Sequence, residues 1–470
     1  MSRSSLPRAF AAAAIVVGAV AAASAQASKT VNVPFEYHTL DNGLKVVLSR
    51  DASSPTAVVT LYYNIGFRIE PKDRTGFAHL FEHMMFQGSQ HLGKNAFISL
   101  VESNGGIVNG STRFDFTNYY QIVPSHTVET ILWAEADRMR GLNITQENLT
   151  NQQGVVKNEV KVNVLNQPYG GFPWLDLPQA ANTNWFNAHN FYGDLEDLDA
   201  ATLKDVQQFF ETYYSPNNAV LVVSGDIDPA QTLGWVRKYF GGIEAAKLPP
   251  QPDISEPRQE KEKRTNREDP LANRPALALG YHHPKRDTSE YYAMGLIDQL
   301  LVQGQDSRLY EAIVQKRGLA GGVAGGANPG LGNMFDVKGP MLWTIYMIHD
   351  AEKSSDEIVK VIDEEITRLQ NTPVTKDELD LALIKRRSQL YAEQEEFVRF
   401  GRANLLASFA LFDNDPGKIN RLEEEFRKVT PELIQKTARE YLRPTNRTVL
   451  TITPKPAFAP NAATAPKGGK

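Results

Sequence analysis

The residues most plainly equipped for chemistry are His79-Leu80-Phe81-Glu82-His83, an H-x-x-E-H pattern in a chain with nine histidines. On an α-helix turning about 100° per residue, with His79 as origin, Glu82 falls at about 300° and His83 at about 40°, so all three project from one arc. Two imidazoles four residues apart reach one divalent ion, and a carboxylate beside them takes a proton from a metal-bound water. The order reverses the commoner H-E-x-x-H. The plain alternative is a helix whose two histidines are simply hydrogen-bonded. Two imidazoles leave an ion short of ligands, so an acidic third ligand is expected from elsewhere, and Asp115, Glu135, Asp137, Glu147 and Glu159 all stay open.

Several elements must position this helix. Short strands precede it: residues 37–40, the turn Asp41-Asn42-Gly43, then 44–48 and 57–63. Thr75-Gly76 opens the motif helix, and a second helix at 96–102 leads through Gly105-Gly106 to the strand Ile107–Thr112. Its Asn109, Gly110, Ser111 and Thr112 are small and polar, which suits close approach of another backbone, although a bulge or edge strand would read the same way. Helices are expected at 125–142 and 145–164, the latter burying Val155, Val156 and Val160. Residues 166–193, with Tyr169, Trp174, Trp185 and Tyr192, form an aromatic loop that either packs down or acts as a lid.

A first unit spans 30–245, a polar stretch at 246–274 reads as a solvated linker, a second unit covers 275–455, and 456–470 reads as a disordered tail. The two units look duplicated. At an offset of 216 residues Gln87-Gly88 falls on Gln303-Gly304 and Gly105-Gly106 on Gly321-Gly322. In that register His79, Glu82 and His83 meet Gly295, Asp298 and Gln299, so the second copy cannot hold the metal.

Residues 1–27 resemble a secretory signal peptide, with Arg3 and Arg8 before an apolar run and small residues at its end. No later segment is apolar enough to span a bilayer, so no membrane attachment is expected once the leader is cleaved. The chain has no cysteine, which excludes thiol chemistry and, with the leader, favours a periplasmic or secreted protein. A net charge of −5 argues against nucleic-acid binding.

The motif with its flanks Thr75–His79 and Phe86–Gly88, the Gly105-Gly106 strand, Asp115–Tyr119 and Glu135–Met139 together resemble the pitrilysin/insulinase family of zinc metallopeptidases, in particular a bacterial two-domain type akin to the processing-peptidase β subunit. The resemblance implies an α+β fold of two homologous α/β-roll domains, each a mixed, mostly antiparallel sheet packed by helices, with the first catalytic and zinc-binding and the second inactive. It implies one zinc per chain on His79, His83 and Glu159, since 75 residues separate His83 from Glu159 as the family's spacing requires. Glu82 is then the general base in peptide-bond hydrolysis, and Asn109–Thr112 the edge that binds an extended peptide. Gln152 stands where many relatives carry a glutamate supporting the site. The arginine and tyrosine that active relatives bring from the opposite half read here as Val314 and Gly321. The expectation is therefore a heterodimer with a homologous chain lacking the zinc motif. A homodimer using Arg308 or Arg317 is the alternative, and a non-catalytic scaffold or peptide-binding subunit is the rival function.

Overall fold

The computed structural model describes residues 32–455, so the expected leader and tail lie outside the described residues. Six strands form a first sheet: β1 (Glu36–Thr39), β2 (Lys45–Arg50), β3 (Thr56–Tyr63), β4 (Ile107–Thr112), β5 (Thr117–Pro124) and β6 (Ala219–Gly225), in the order β1-β2-β6-β3-β5-β4. A second sheet takes β7 (Lys263–Asp269), β8 (Ala276–His282), β9 (Ala324–Ala327), β10 (Leu342–Ile348) and β11 (Arg447–Pro454), in the order β7-β11-β8-β10-β9. In each sheet one pair is parallel, β2 with β6 and β7 with β11, and the other pairs are antiparallel. Apart from β1, the second sheet repeats the first strand for strand. The fold is therefore α+β, with two mixed sheets packed by helices.

Five helices matter below: α1 (Phe77–Met84), α2 (Gln146–Val160), α3 (Asp176–Ala181), α4 (Ser289–Leu301) and α5 (Lys376–Phe412). Phe77, Phe81 and Met84 of α1 join Val59, Leu61, Tyr63 and Leu221 in one core on the first sheet. The sheet's other face is covered from the far end of the chain. Helix α5 breaks at Glu396–Arg399, and its later part, buried from Gly401 to Ala410 apart from the half-buried Asn404, packs on β6, β3 and β2. There Tyr62 Oη donates to Asn404 Oδ1 at 2.5 Å. Buried on both faces, β6 reads Ala-Val-Leu-Val-Val-Ser-Gly without alternation. In exchange, Phe172, Leu177 and Ala181, in or beside α3, pack on Ala276, Ala278, Leu450 and Ile452 of the second sheet. Each sheet is thus covered partly by the other half of the chain.

Two expectations need correction. Residues 263–269 are not linker but β7, an edge strand whose polar side chains are mostly exposed, Asp269 at its end being buried, while its backbone pairs with β11. Hydrophobic patterning cannot find such a strand, because backbone hydrogen bonds and charge pairs hold it. Thr451 and Thr453 both donate to Asn266 Oδ1 at 2.8 Å, and Glu262 just before it pairs with Arg447. The preceding stretch is tethered too: Glu256 accepts from Thr183 Oγ1 at 2.7 Å and Asn187 Nδ2 at 2.9 Å. On α2, Val156 and Val160 are buried, but Val155 is 43 % exposed. Adjacent helical residues sit about 100° apart, so both cannot centre on one narrow buried face.

Candidate active site

Helix α1 is held at its start by a buried anion. Glu70, fully buried, accepts from Gly76 N at 2.9 Å and Ala78 N at 2.6 Å, meeting N–H groups that a helix leaves unpaired. Burial raises its pKa in spite of these bonds. Gly76 adopts φ 83°, a conformation suited to glycine.

From this helix His79 and His83 point at Glu159 on α2. His79 Nε2 stands 3.5 Å from Glu159 Oε1 and His83 Nε2 stands 3.2 Å from Oε2. All three ligand atoms lie within 4.8 Å of one another, and among the described residues no other such group occurs. Ligands on a tetrahedral ion with bonds of about 2.0–2.1 Å sit roughly 3.3 Å apart, so the two His–Glu159 spacings and the donor types fit zinc. Hydrogen bonds from the two histidines hold the Glu159 carboxyl well below the usual carboxylate range, against the opposing effect of burial. For His79 burial lowers the pKa, but the bond with Glu159 and the charges of Glu82, Glu159 and Glu70 raise it overall.

The other acids left open by the sequence are engaged elsewhere. Asp115 accepts from Arg68 Nε at 2.7 Å and from the backbone N of Lys338 and Gly339, tying the first half to the second. Buried Glu135 binds Arg138 and Gln121, both at 2.6 Å. Asp137 accepts from Ser89 Oγ at 2.6 Å and contacts His91. Glu147 is exposed on the first turn of α2.

Glu82 lies beside the trio and accepts from Thr112 Oγ1 at 2.7 Å. Strand β4 presses directly on it, for a Cβ at Gly110 would stand 3.2 Å from Glu82 Cγ. β4 pairs only with β5, so its outer edge has no strand neighbour among the described residues. Asn109 Oδ1 accepts from Gly110 N at 2.9 Å, and Ser111 Oγ donates to Asn118 at 2.6 Å. An unpaired edge beside the carboxylate, along a cleft of about 400 Å³, can take an extended chain as a further strand.

Gln152 is buried and donates to Asn151 Oδ1 at 2.8 Å rather than to Glu159. A residue that motif reading missed stands there instead. Tyr192 Oη donates to Glu159 Oε1 at 3.3 Å, and its ring meets His79 edge-on at 5.1 Å and Trp174 at 5.5 Å. Burial, and then the Glu159 charge, push its pKa up to about 12, so it stays a donor at neutral pH. The aromatic loop was the available signal. The second half adds Gly330, Leu331 and Phe400 to the cleft, but not Val314 or Gly321. Arg308 pairs with Glu378 and Arg317 with Glu364, each at 2.6 Å.

The family model for insulinase, peptidase family M16, matches residues 45–169, and that for the peptidase M16 inactive domain matches 200–385. The zinc protease PqqE of Helicobacter pylori is 25% identical over 428 residues, covering 88% of this chain and 92% of PqqE. The crystal structure of a protease from Helicobacter pylori superimposes with a TM-score of 0.83 at 24% identity, over 90% of this chain and 100% of that one. The periplasmic protease PqqL from Escherichia coli matches with a TM-score of 0.73 at 18% identity, over 91% of this chain but 48% of that one.

Proposed function

The chain belongs to peptidase family M16 and is a zinc metalloprotease, and from that premise we propose that it is an endopeptidase acting on peptides and unfolded segments, with Glu82 as general base. The observation that supports this reading most is that Glu82, bonded by Thr112, lines one cleft with His79, Glu159 and the open edge of β4. His79, His83 and Glu159 would hold one zinc. When bound, zinc polarises a scissile carbonyl and acidifies a water. Asn109–Thr112 would hold the substrate backbone as an added strand, which requires an extended chain and disfavours folded proteins. Glu82 Oε1, not engaged by Thr112, is free to take the water's proton and return it to the leaving amine.

The absence of the arginine–tyrosine pair supports a separate partner, a homologous chain lacking the motif. The match to about half of PqqL fits an assembly of two such double units, here as two chains. PqqL is described as periplasmic, which with the signal-like residues 1–27 favours a periplasmic or secreted location. No helix among the described residues is long and apolar enough to cross a membrane.

The test is cleavage of a quenched fluorescent peptide by the zinc-loaded chain, alone and with a candidate partner, against Glu82→Gln. The variant is expected to lose about 10²–10⁴-fold in kcat while keeping its zinc. Equal rates for parent and variant would leave the scaffold or peptide-binding reading.

A further inference from the structure

We propose that Tyr192 is the positioning residue of the metal centre, its hydroxyl fixing the Glu159 carboxylate, with Trp174 and the second half of the chain bracing it; the inference rests on the zinc-peptidase reading above. Carboxylates that would ligate a metal are themselves held by hydrogen bonds from neighbouring groups, and losing such a partner lowers metal affinity. Gln152, the residue that sequence position suggests for this task, turns to Asn151. The hydroxyl of Tyr192 lies 3.3 Å from Glu159 Oε1, the oxygen nearer His79.

The phenol is built in rather than draped over the cleft. Its ring sits edge-on between His79 at 5.1 Å and Trp174 at 5.5 Å. Its backbone N donates to Asn190 Oδ1 at 3.1 Å. The next residue, Gly193, lies so close to the start of α1 that a Cβ there would be 2.4 Å from Gly76 Cα. Thr75 completes the clamp, accepting from Asp194 N at 2.9 Å and donating its hydroxyl to Asp197 at 2.6 Å. The turn carrying Tyr192 is thereby fixed to the helix carrying His79 and His83. Trp174 is backed in turn by Gly330 of the second half, where a Cβ would stand 3.4 Å from Trp174 Cβ. A half without metal ligands thus reaches the centre through Trp174 and Tyr192.

Tyr192→Phe keeps the ring and removes only the hydroxyl. Zinc affinity, measured by competition with a chromophoric chelator on the full chain, is expected to fall about 10–100-fold, with peptide KM little changed, kcat reduced and the melting temperature of the metal-free protein unaltered. Trp174→Leu, which frees the ring but keeps the hydroxyl, is expected to give a smaller loss of affinity. Zinc affinity of Tyr192→Phe within twofold of the parent overturns the assignment. So does a fall in metal-free melting temperature, which would make the hydroxyl a folding contact. Failure of the peptidase reading is distinguishable, since Glu82→Gln would then match the parent in cleavage while the zinc titration still reports on Tyr192.

Discussion

Helices α1 and α4 occupy equivalent places on two sheets that share a strand order apart from β1, yet one presents His79, Glu82 and His83 beside a cleft of about 400 Å³ and the other presents Gly295, Asp298 and Gln299 beside a smaller one of about 210 Å³. In α4 every residue from Tyr291 to Leu301 is buried. At Gly295, the counterpart of His79, a Cβ would come within 2.8 Å of the Phe426 ring, so any larger side chain there must displace that ring. Asp298 accepts from Trp343 Nε1 at 2.9 Å, and Gln299 donates to Gln389 at 2.8 Å. The partner helices differ in the same sense. On α5, Arg386 pairs with Glu393, seven residues on, at 3.1 Å, whereas α2 offers Gln152 and Glu159 at that spacing. In the second half the Arg386 guanidinium lies beside the cavity that Asp298 lines, and its charge opposes the rise that burial gives the Asp298 carboxyl. One scaffold therefore carries a metal-ligand set where the helix offers two imidazoles to a carboxylate, and loses it where those positions are replaced or paired with neighbours.

The sharpest way to break this contrast is to remove ligands from the first half. His79→Ala and Glu159→Ala are each expected to weaken zinc binding by at least about a thousandfold, roughly 4 kcal/mol, as measured by metal analysis after dialysis against a weak chelator. Full zinc retention in either would contradict the assignment of the trio.

The next effect belongs to the second half. Burial, opposed by the bonds from Trp343 and Gln303, pushes Asp298 up to about 6 from an ordinary 3.8. A raised folded-state pKa means that the folded protein binds this proton more tightly than the unfolded chain. The associated stability is present below about pH 3.8 and is lost as pH rises through about 6. Asp298→Asn keeps an acceptor for Trp343 and cannot ionise. It is expected to be more stable than the parent at pH 7–8, by up to about 3 kcal/mol, with no advantage near pH 4 and no change in zinc content. Denaturant melts at the two pH values check this, and a pH-independent difference would remove Asp298 as the cause.

How much of this was legible in the sequence depended on the kind of force involved. The motif helix, the α+β class and the duplication were readable because fixed spacings and apolar periodicity carry them. Asp298 and Gln299 announced the missing second site by residue type alone. β7 was not readable, because an exposed edge strand such as Lys263–Asp269 needs no apolar pattern. Nor were the exchanges by which α3 covers the second sheet and the end of α5 covers the first, since both depend on contacts distant in sequence. Tyr192 was visible only as one aromatic of a loop, and nothing local shows where its hydroxyl ends.

The smallest expected effect concerns α2, which carries Glu159, and it separates the ligand from the packing that presents it. Val155 is 43 % exposed and Val156 is wholly buried, although both are valines on the same turn. Replacing Val156 by Ala removes two buried methyl groups beneath the ligand helix, at about 0.8 kcal/mol each in transfer plus a cavity contribution, so a loss of about 2 kcal/mol is expected. The same change at Val155 removes little buried area, and alanine is the better helix former by a few tenths of a kcal/mol. Val155→Ala should therefore be neutral or slightly stabilising, within about 0.5 kcal/mol, when followed by urea denaturation. Equal losses at the two positions would mean that Val155 is covered in the working assembly, and the exposed side of the ligand helix would then have to be counted as an interface rather than as a solvated face.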